Sequence, residues 1–301
     1  MNALPFPHEL ETVRDWIRYA VSRMRAAKVY FGHGTENAWD EAVFLVLAHL
    51  DLPLDQLDPY LDAHLTFTER SSLHALLERR VVDRVPVPYL VHQAWLGEFR
   101  FYVDERVVIP RSFIAELLRE QLVPWVSDPL RVASVLDLCT GSGCLAILAA
   151  DAFPNAEIDA VDISAEALAV AQHNVADYEL QDRINLVRSD LFRNVNPEDK
   201  TYDVILSNPP YVTQAAMSGL PAEYLREPAL GLAAGDDGMT AIREIVTAAR
   251  GYLNVGGVLL VECGHNRALV EVAFPALPFT WVDAESGEDK VFLLRRDELP
   301  V

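Results

Sequence analysis

Basic residues are scarce in this chain. Its 301 residues hold 25 Lys+Arg against 45 Asp+Glu, a formal charge of −20 at pH 7. A surface of that sign repels a phosphate backbone, which weighs against a free-standing DNA- or RNA-binding protein; it suits a basic protein partner, or no charged partner at all, the charge then serving solubility alone. Cysteine is scarcer still. Cys139, Cys144 and Cys263 form no CxxC pair and no His/Cys cluster at zinc spacing, so neither a disulfide framework nor a metal site is expected. Hydrophobic residues make up 51% of the chain, yet no apolar run long enough to cross a bilayer escapes a charge or a proline. The first residues also lack the basic-then-apolar pattern of a secretory signal. The expectation is a cytoplasmic protein with reduced thiols, no membrane contact, and enough apolar side chains to bury a core.

The apolar pattern divides the chain in three. Residues 1–85 read as a small helical domain: Val13, Trp16, Ile17, Ala20, Val21 and Met24 recur at helical spacing within Glu9 to Lys28. After a Gly-rich break at Phe31-Gly32-His33-Gly34, Thr35 or Asn37 can cap a second helix, and Thr66-Phe67-Thr68-Glu69 has the spacing of a capping box for a third. No catalytic spacing occurs here, so the domain reads as one that packs or grips a partner. Residues 86–128 read as a linker. Tyr89 to Asp104 resembles a β-hairpin turning at Gly97, and a short helix follows over Ser112 to Leu122. From 129 to 301 short apolar runs alternate with helical stretches. The runs are Val132 to Leu138, Glu157 to Asp162, Ile184 to Arg188, Tyr202 to Ser207, Gly257 to Glu262, Thr280 to Asp283 and Val291 to Arg295. The helices are Gly143 to Ala152, Ala165 to Asp177 and Met239 to Leu253. Such alternation predicts an α/β fold with a mainly parallel sheet, and the closely spaced last two runs predict an antiparallel hairpin at one edge.

Where the first run hands over to its helix stands Asp137-Leu138-Cys139-Thr140-Gly141-Ser142-Gly143-Cys144. Glycine lets the backbone turn sharply and approach a ligand closely. Gly141-x-Gly143-x-x-Ala146 also satisfies the dinucleotide fingerprint, with Asp162 about twenty residues on, so the loop by itself leaves NAD and S-adenosylmethionine both open. Two features favour S-adenosylmethionine. Asp137 precedes the loop, where it suits an amino-acid ammonium group and not a pyrophosphate. Asp190 ends the third run, where it can accept from an adenine amino group. Asp137, Asp162 and Asp190 thus stand at three successive strand ends, lining the crevice where open sheets bind ligands.

After the fourth run comes Asn208-Pro209-Pro210-Tyr211. The prolines lock the turn and remove two backbone donors. An Asn side-chain oxygen with a neighbouring carbonyl can hold both hydrogens of a planar NH2 group, and Tyr211 can stack on its plane. Asn208 carries no charge and cannot serve as a base, so alignment of the nitrogen on an activated methyl carbon is the chemistry this pattern fits. Downstream, Glu227-Pro228 is a candidate wall for the substrate, and Gly235-Asp236-Asp237-Gly238 reads as a loop and helix cap.

With these residues in hand the whole chain resembles the class I protein-glutamine N5-methyltransferases, which join a helical N-terminal domain and a hairpin linker to a catalytic domain carrying NPPY. NPPY is shared with N6-adenine DNA methyltransferases and some RNA amino-methyltransferases, so it marks NH2 chemistry and not the substrate. The loop containing Cys139, where release-factor enzymes usually have Gly, resembles the branch that modifies a glutamine of ribosomal protein L3. So do Tyr30 to Thr35, Phe101 to Arg106 and Val108 to Ser112. Departures are Phe113, where that branch commonly has a proline, and Leu191, where release-factor enzymes can place a Trp near adenine. The resemblance implies a class I, Rossmann-like, seven-stranded fold with an antiparallel edge hairpin and S-adenosylmethionine as cofactor. It implies cofactor contacts from Asp137, Cys139, Thr140, Gly141, Ser142, Gly143, Asp162, Ile163, Asp190, Leu191 and Asn208. The glutamine amide then meets Asn208, Pro209, Pro210 and Tyr211, with Glu227 beside it. The implied partner is the basic ribosomal protein, free before assembly, with no DNA and no metal. A release factor, and more distantly a nucleic-acid adenine, are the alternative substrates.

Overall fold

The computed structural model describes residues 6–284 and 287–300. The chain forms two compact units. One comprises Met1–Trp95, Val103–Glu105 and Leu220–Glu227, and the other Leu96–Tyr102, Arg106–Gly219 and Pro228–Val301. The first unit therefore takes in a segment from the second half of the chain, which no local pattern announces.

The first unit is helical: α1 (Val13–Ala26), α2 (Ala38–His49), α3 (Phe67–Val81) and the short α4 (Val87–Val91). Thr12 with Asp15 and Thr66 with Glu69 close capping boxes, and Asn37 Oδ1 accepts from the N–H groups of Trp39 and Asp40. Trp16, Ile17, Met24, Leu45, Leu73 and Leu77 form its apolar core. Beside that core Arg80 is wholly buried, its Nε 2.6 Å from Glu41 Oε1 and its Nη1 3.3 Å from Glu223 Oε1. Glu223 Oε1 also takes the Arg84 guanidinium at 3.2 Å and the Tyr30 N–H at 3.1 Å. A four-group network of this kind leaves no buried charge unpaired, the condition for tolerating it.

The chain passes to the second unit within a two-stranded hairpin, β1 (Ala94–Leu96) and β2 (Phe99–Phe101). The hairpin is shorter than Tyr89 to Asp104 because residues 87–91 are helical; Pro88 in the first turn presets the helical φ and gives up a donor that turn does not use. The second unit then runs α5 (Ile114–Arg119), β3 (Ser134–Leu138), α6 (Cys144–Ala152), β4 (Glu157–Asp162), α7 (Ala165–Asp177), β5 (Ile184–Arg188) and β6 (Tyr202–Ser207). It continues through α8 (Gln214–Met217), α9 (Ala229–Leu232), α10 (Thr240–Ala248), β7 (Leu253–Glu262), α11 (Arg267–Ala273), β8 (Thr280–Ala284) and β9 (Gly287–Arg295). The strands lie in the order β5-β4-β3-β6-β7-β9-β8, parallel through β7, with β9 antiparallel to both neighbours. The mainly parallel seven-stranded sheet with an antiparallel edge is thus as the sequence indicates. Residues 285–286, within the stretch Ala284 to Lys290 that the sequence reads as that hairpin's turn, lie outside the described residues. β7 begins at Leu253, where the sequence pattern ends a helix, because α10 stops at Ala248 and a 3-10 turn, Ala249–Gly251, intervenes.

Strand order places the site. The chain builds outward from β3 to β5, then returns to set β6 against the other side of β3, with Leu138 opposite Ser207. The reversal opens a crevice beyond the carboxyl ends of β3 and β6, the place where sheets of this topology bind ligands.

Candidate active site

Two loops meet that crevice. The first leaves β3 at Leu138, passes Cys139 (φ +62°), Thr140, Gly141 (φ +55°) and Ser142, and enters α6 at its cap Gly143 (φ +80°). The Thr140 N–H donates to Val161 O at 2.9 Å and the Gly143 N–H to Thr140 O at 2.9 Å, which ties the loop to β4 and closes its turn. A Cβ at Gly143 would stand 3.2 Å from Ala171 Cβ of α7, whereas nothing lies within 4 Å of one at Gly141. The left-handed backbone favours glycine at both positions, a Cβ at Gly143 would also crowd Ala171, and the space over Gly141 is open to a ligand. Asn174 of α7, wholly buried, supports the loop by donating to Ser142 O at 2.8 Å. No sequence signal marked this residue beyond its being a polar group on a buried helix face.

Asp137 is 1% exposed in the middle of the sheet. Its Oδ2 accepts from Thr140 Oγ1 at 2.5 Å, and its Oδ1 is buried without a hydrogen bond. Burial pushes its carboxyl up to about 7, against the opposing pull of the Thr140 hydroxyl, with a further push from Asp162 and a smaller opposing pull from the Ala146 N–H. Asp162, at the end of β4, is also raised by burial. Its Oδ2 accepts from the Gly141 N–H and its Oδ1 from the Ser164 N–H, both at 2.9 Å. Asp190 follows β5 and pairs with Arg193 at 2.8 Å near the surface. Beside these, Ile163 is 44% exposed and Leu191 is buried with φ +48°. Burial raises the Cys139 and Cys144 thiols, the latter to about 12, so neither is a thiolate nucleophile at neutral pH.

The second loop follows β6. Asn208 Nδ2 donates to Arg111 O at 3.2 Å, which leaves the amide oxygen as the acceptor this side chain can offer a ligand. Pro209 is buried, and Pro210 leads to Tyr211, whose hydroxyl donates to Glu262 Oε1 at 3.1 Å. Glu262 ends β7 and is 1% exposed. Its Oε2 accepts from Ser112 Oγ at 2.6 Å and the Phe113 N–H at 3.0 Å, and burial pushes its carboxyl up to about 7. No sequence pattern marks Glu262, Arg111 or Ser112 as a site residue. An acid ending an apolar run was the available signal for Glu262, but its partners lie about 50 and 150 positions away in sequence. Glu227 belongs to the first unit, where its side chain is buried with Oε1 3.8 Å from His33 Nε2. In the loop at 235–238, Asp237 Oδ1 accepts from the Met239 N–H at the start of α10.

The loop and its acids fit S-adenosylmethionine. A buried Asp137 oxygen with no full hydrogen bond suits an ammonium donor and not a pyrophosphate, and the open space over Gly141 admits a ligand against the backbone. Residues 116–230 match the family model described as the methyltransferase small domain. Fold and loop together define an S-adenosylmethionine-dependent methyltransferase. The chain is 57% identical over 291 residues to the ribosomal protein uL3 glutamine methyltransferase of Bordetella pertussis, covering 97% of both chains. It is 55% identical to the protein of that name from Neisseria gonorrhoeae, over 97% of this chain and 96% of the relative. With that from Burkholderia pseudomallei it shares 54% identity, over 98% of this chain and 97% of the relative. The chain belongs to the family of ribosomal protein uL3 glutamine methyltransferases.

Proposed function

We propose that this chain methylates the side-chain N5 of a glutamine in ribosomal protein uL3, before that protein is assembled into the ribosome. The observation that carries the reading is the likeness to three proteins of that name along the whole chain, helical unit included, at 54–57% identity. Bound S-adenosylmethionine supplies an electrophilic methyl carbon on a sulfonium. Asp137 would hold its ammonium group, Asp162 its ribose hydroxyls, and Asp190 with Ile163 and Leu191 its adenine, over the backbone of residues 139–143.

The protein's part in the chemistry is alignment. An amide nitrogen is a poor nucleophile because its lone pair is delocalised. Asn208, turned by the Arg111 carbonyl, presents its amide oxygen to one substrate N–H, a carbonyl of the Pro209–Pro210 turn takes the other, and Tyr211 packs against the amide plane. Alignment of this kind contributes up to about 7–11 kcal/mol in the most favourable intramolecular cases. No base is needed at Asn208: once methylated the nitrogen becomes acidic and its proton leaves to water. The charge of −20 supports a basic protein substrate over a nucleic acid.

Incubation with radiolabelled S-adenosylmethionine and purified ribosomal protein uL3, followed by mass-spectrometric mapping, tests the reading. Label on a single uL3 glutamine is expected. Label on release factor with none on uL3, or label in DNA or RNA, would overturn it.

A further inference from the structure

Tyr211 is held at three separate points, and all three come from alternate residues of one short segment, 262–266, at the end of β7. Glu262 Oε1 accepts from its hydroxyl at 3.1 Å. A Cβ at Gly264 would stand 2.6 Å from the ring carbon Cε2 and 2.9 Å from Cδ2, so only glycine lets the ring lie where it does. Asn266 Nδ2 donates to the Tyr211 carbonyl at 2.7 Å. Hydroxyl, ring edge and backbone are thus fixed independently. Glu262 is itself pinned, since its other oxygen takes two hydrogen bonds from Ser112 and Phe113. Those residues follow directly on Arg111, whose carbonyl turns Asn208. The first and last residues of Asn-Pro-Pro-Tyr are therefore tied to the same stretch, 111–113, one directly and one through Glu262.

Burying a carboxylate is costly unless donors satisfy it, and a leucine would fill the same space without that cost. What Glu262 adds over an apolar residue is direction. We propose that Glu262, Gly264 and Asn266 are positioning residues for methyl transfer, forming a cradle that fixes the Tyr211 ring relative to the Asn208 amide. The proposal rests on the reading of Asn208–Tyr211 as the amide-binding element.

The test is a double-mutant cycle in the full-length protein, with uL3 as substrate and S-adenosylhomocysteine as the binding probe. Glu262→Ala and Tyr211→Phe should each lower kcat by roughly ten- to a hundredfold while cofactor affinity stays within about twofold, and the double variant should fall no further than the slower single. Glu262→Gln should recover most of the rate. Its amide oxygen keeps the Ser112 and Phe113 donors, and its NH2 group can donate to the phenol oxygen. Asn266→Ala supplies a second route, loosening the Tyr211 carbonyl with Glu262 intact and lowering kcat in the same sense. Multiplicative losses in the double variant, or a wild-type kcat in Glu262→Ala, would overturn the proposal. If the wild-type protein leaves uL3 unlabelled, the substrate reading alone fails. The cradle is then read by the same cycle in urea unfolding, where coupling between positions 211 and 262 supports it and additivity overturns it.

Discussion

Replacing Asp137 by Asn should change the pH dependence of stability and of cofactor binding in opposite senses. The wild-type carboxyl is raised by burial from 3.8 to about 7. Between those values the folded protein holds a proton that the unfolded chain has released. Stability of the ligand-free protein therefore falls as pH rises through the window, and levels off above 7. A shift of about three units corresponds to about 4 kcal/mol at most. Asparagine removes this titration but places an NH2 group where Oδ1 is buried without a partner, at a cost of about 1–3 kcal/mol. The two stability curves should cross: the variant is weaker near pH 4 and stronger than wild type above pH 7. Urea unfolding of both proteins at intervals across that range gives the difference, in which the other titrating groups cancel.

Cofactor binding supplies the complementary measurement. An ammonium beside Asp137 favours its carboxylate, so binding must expel the proton that the empty site keeps below pH 7. Affinity for S-adenosylhomocysteine should weaken about tenfold per pH unit below 7 in the wild type, and be weak and flat in the variant. Parallel stability curves for the two proteins, together with a pH-independent wild-type affinity, would refute the reasoning.

Asn208→Ala should leave S-adenosylhomocysteine affinity nearly unchanged in calorimetry and cut kcat by about a hundredfold or more, because it removes the acceptor that orients the nucleophile. Asp162→Ala should do the reverse, raising the cofactor KM by about tenfold through loss of ribose hydrogen bonds, with kcat recovered at saturation. Arg80→Ala leaves Glu41 buried without its cation and Glu223 with Arg84 alone, and should destabilise the helical unit by about 3–5 kcal/mol, read as a lower urea midpoint. If the acidic surface steers a basic substrate, KM for uL3 should rise between about 50 and 200 mM salt, whereas a flat KM would leave the charge no role in recognition.

What the sequence discloses and what it hides follow from the range of the forces involved. The strands Glu157–Asp162 and Tyr202–Ser207 begin and end where their runs do, because inner parallel strands are buried on both faces through their middles, and the edge strand Ile184–Arg188 is legible from Ile184, Leu186 and Val187 although only Ile184 is buried. The capping box at Thr66 and Glu69 is legible because both partners lie within one turn. The box at Thr12 and Asp15 is equally local, but the helical pattern that continues back to Glu9 obscures it. Residues 220–227 carry no periodicity that assigns them to the helical unit; Glu223 is fixed there by Tyr30, Arg80 and Arg84, each more than 130 positions away. The glycine loop and the strand-end acids were readable as a pattern. The Glu262 link to Tyr211 was not, because its donors come from two distant segments that only the folded sheet brings together.

Asp137 and Glu262 show how partners, more than titration, separate a binding group from a supporting one. Both carboxyls are 1% exposed, and burial pushes both up to about 7. Glu262 spends its two oxygens on three donors of the chain itself, which leaves it little capacity for a ligand and makes it part of the frame. Asp137 spends one oxygen on Thr140 and keeps the other buried without a well-formed hydrogen bond, with only a weak pull from the Ala146 N–H in the first turn of α6. An acceptor kept dry and unpaired costs the ligand-free fold stability, and a cationic donor that fills the place returns it as affinity. The chain thus puts a satisfied carboxylate where the substrate amide must be held still, and an unsatisfied one where a ligand's positive charge is to be bound.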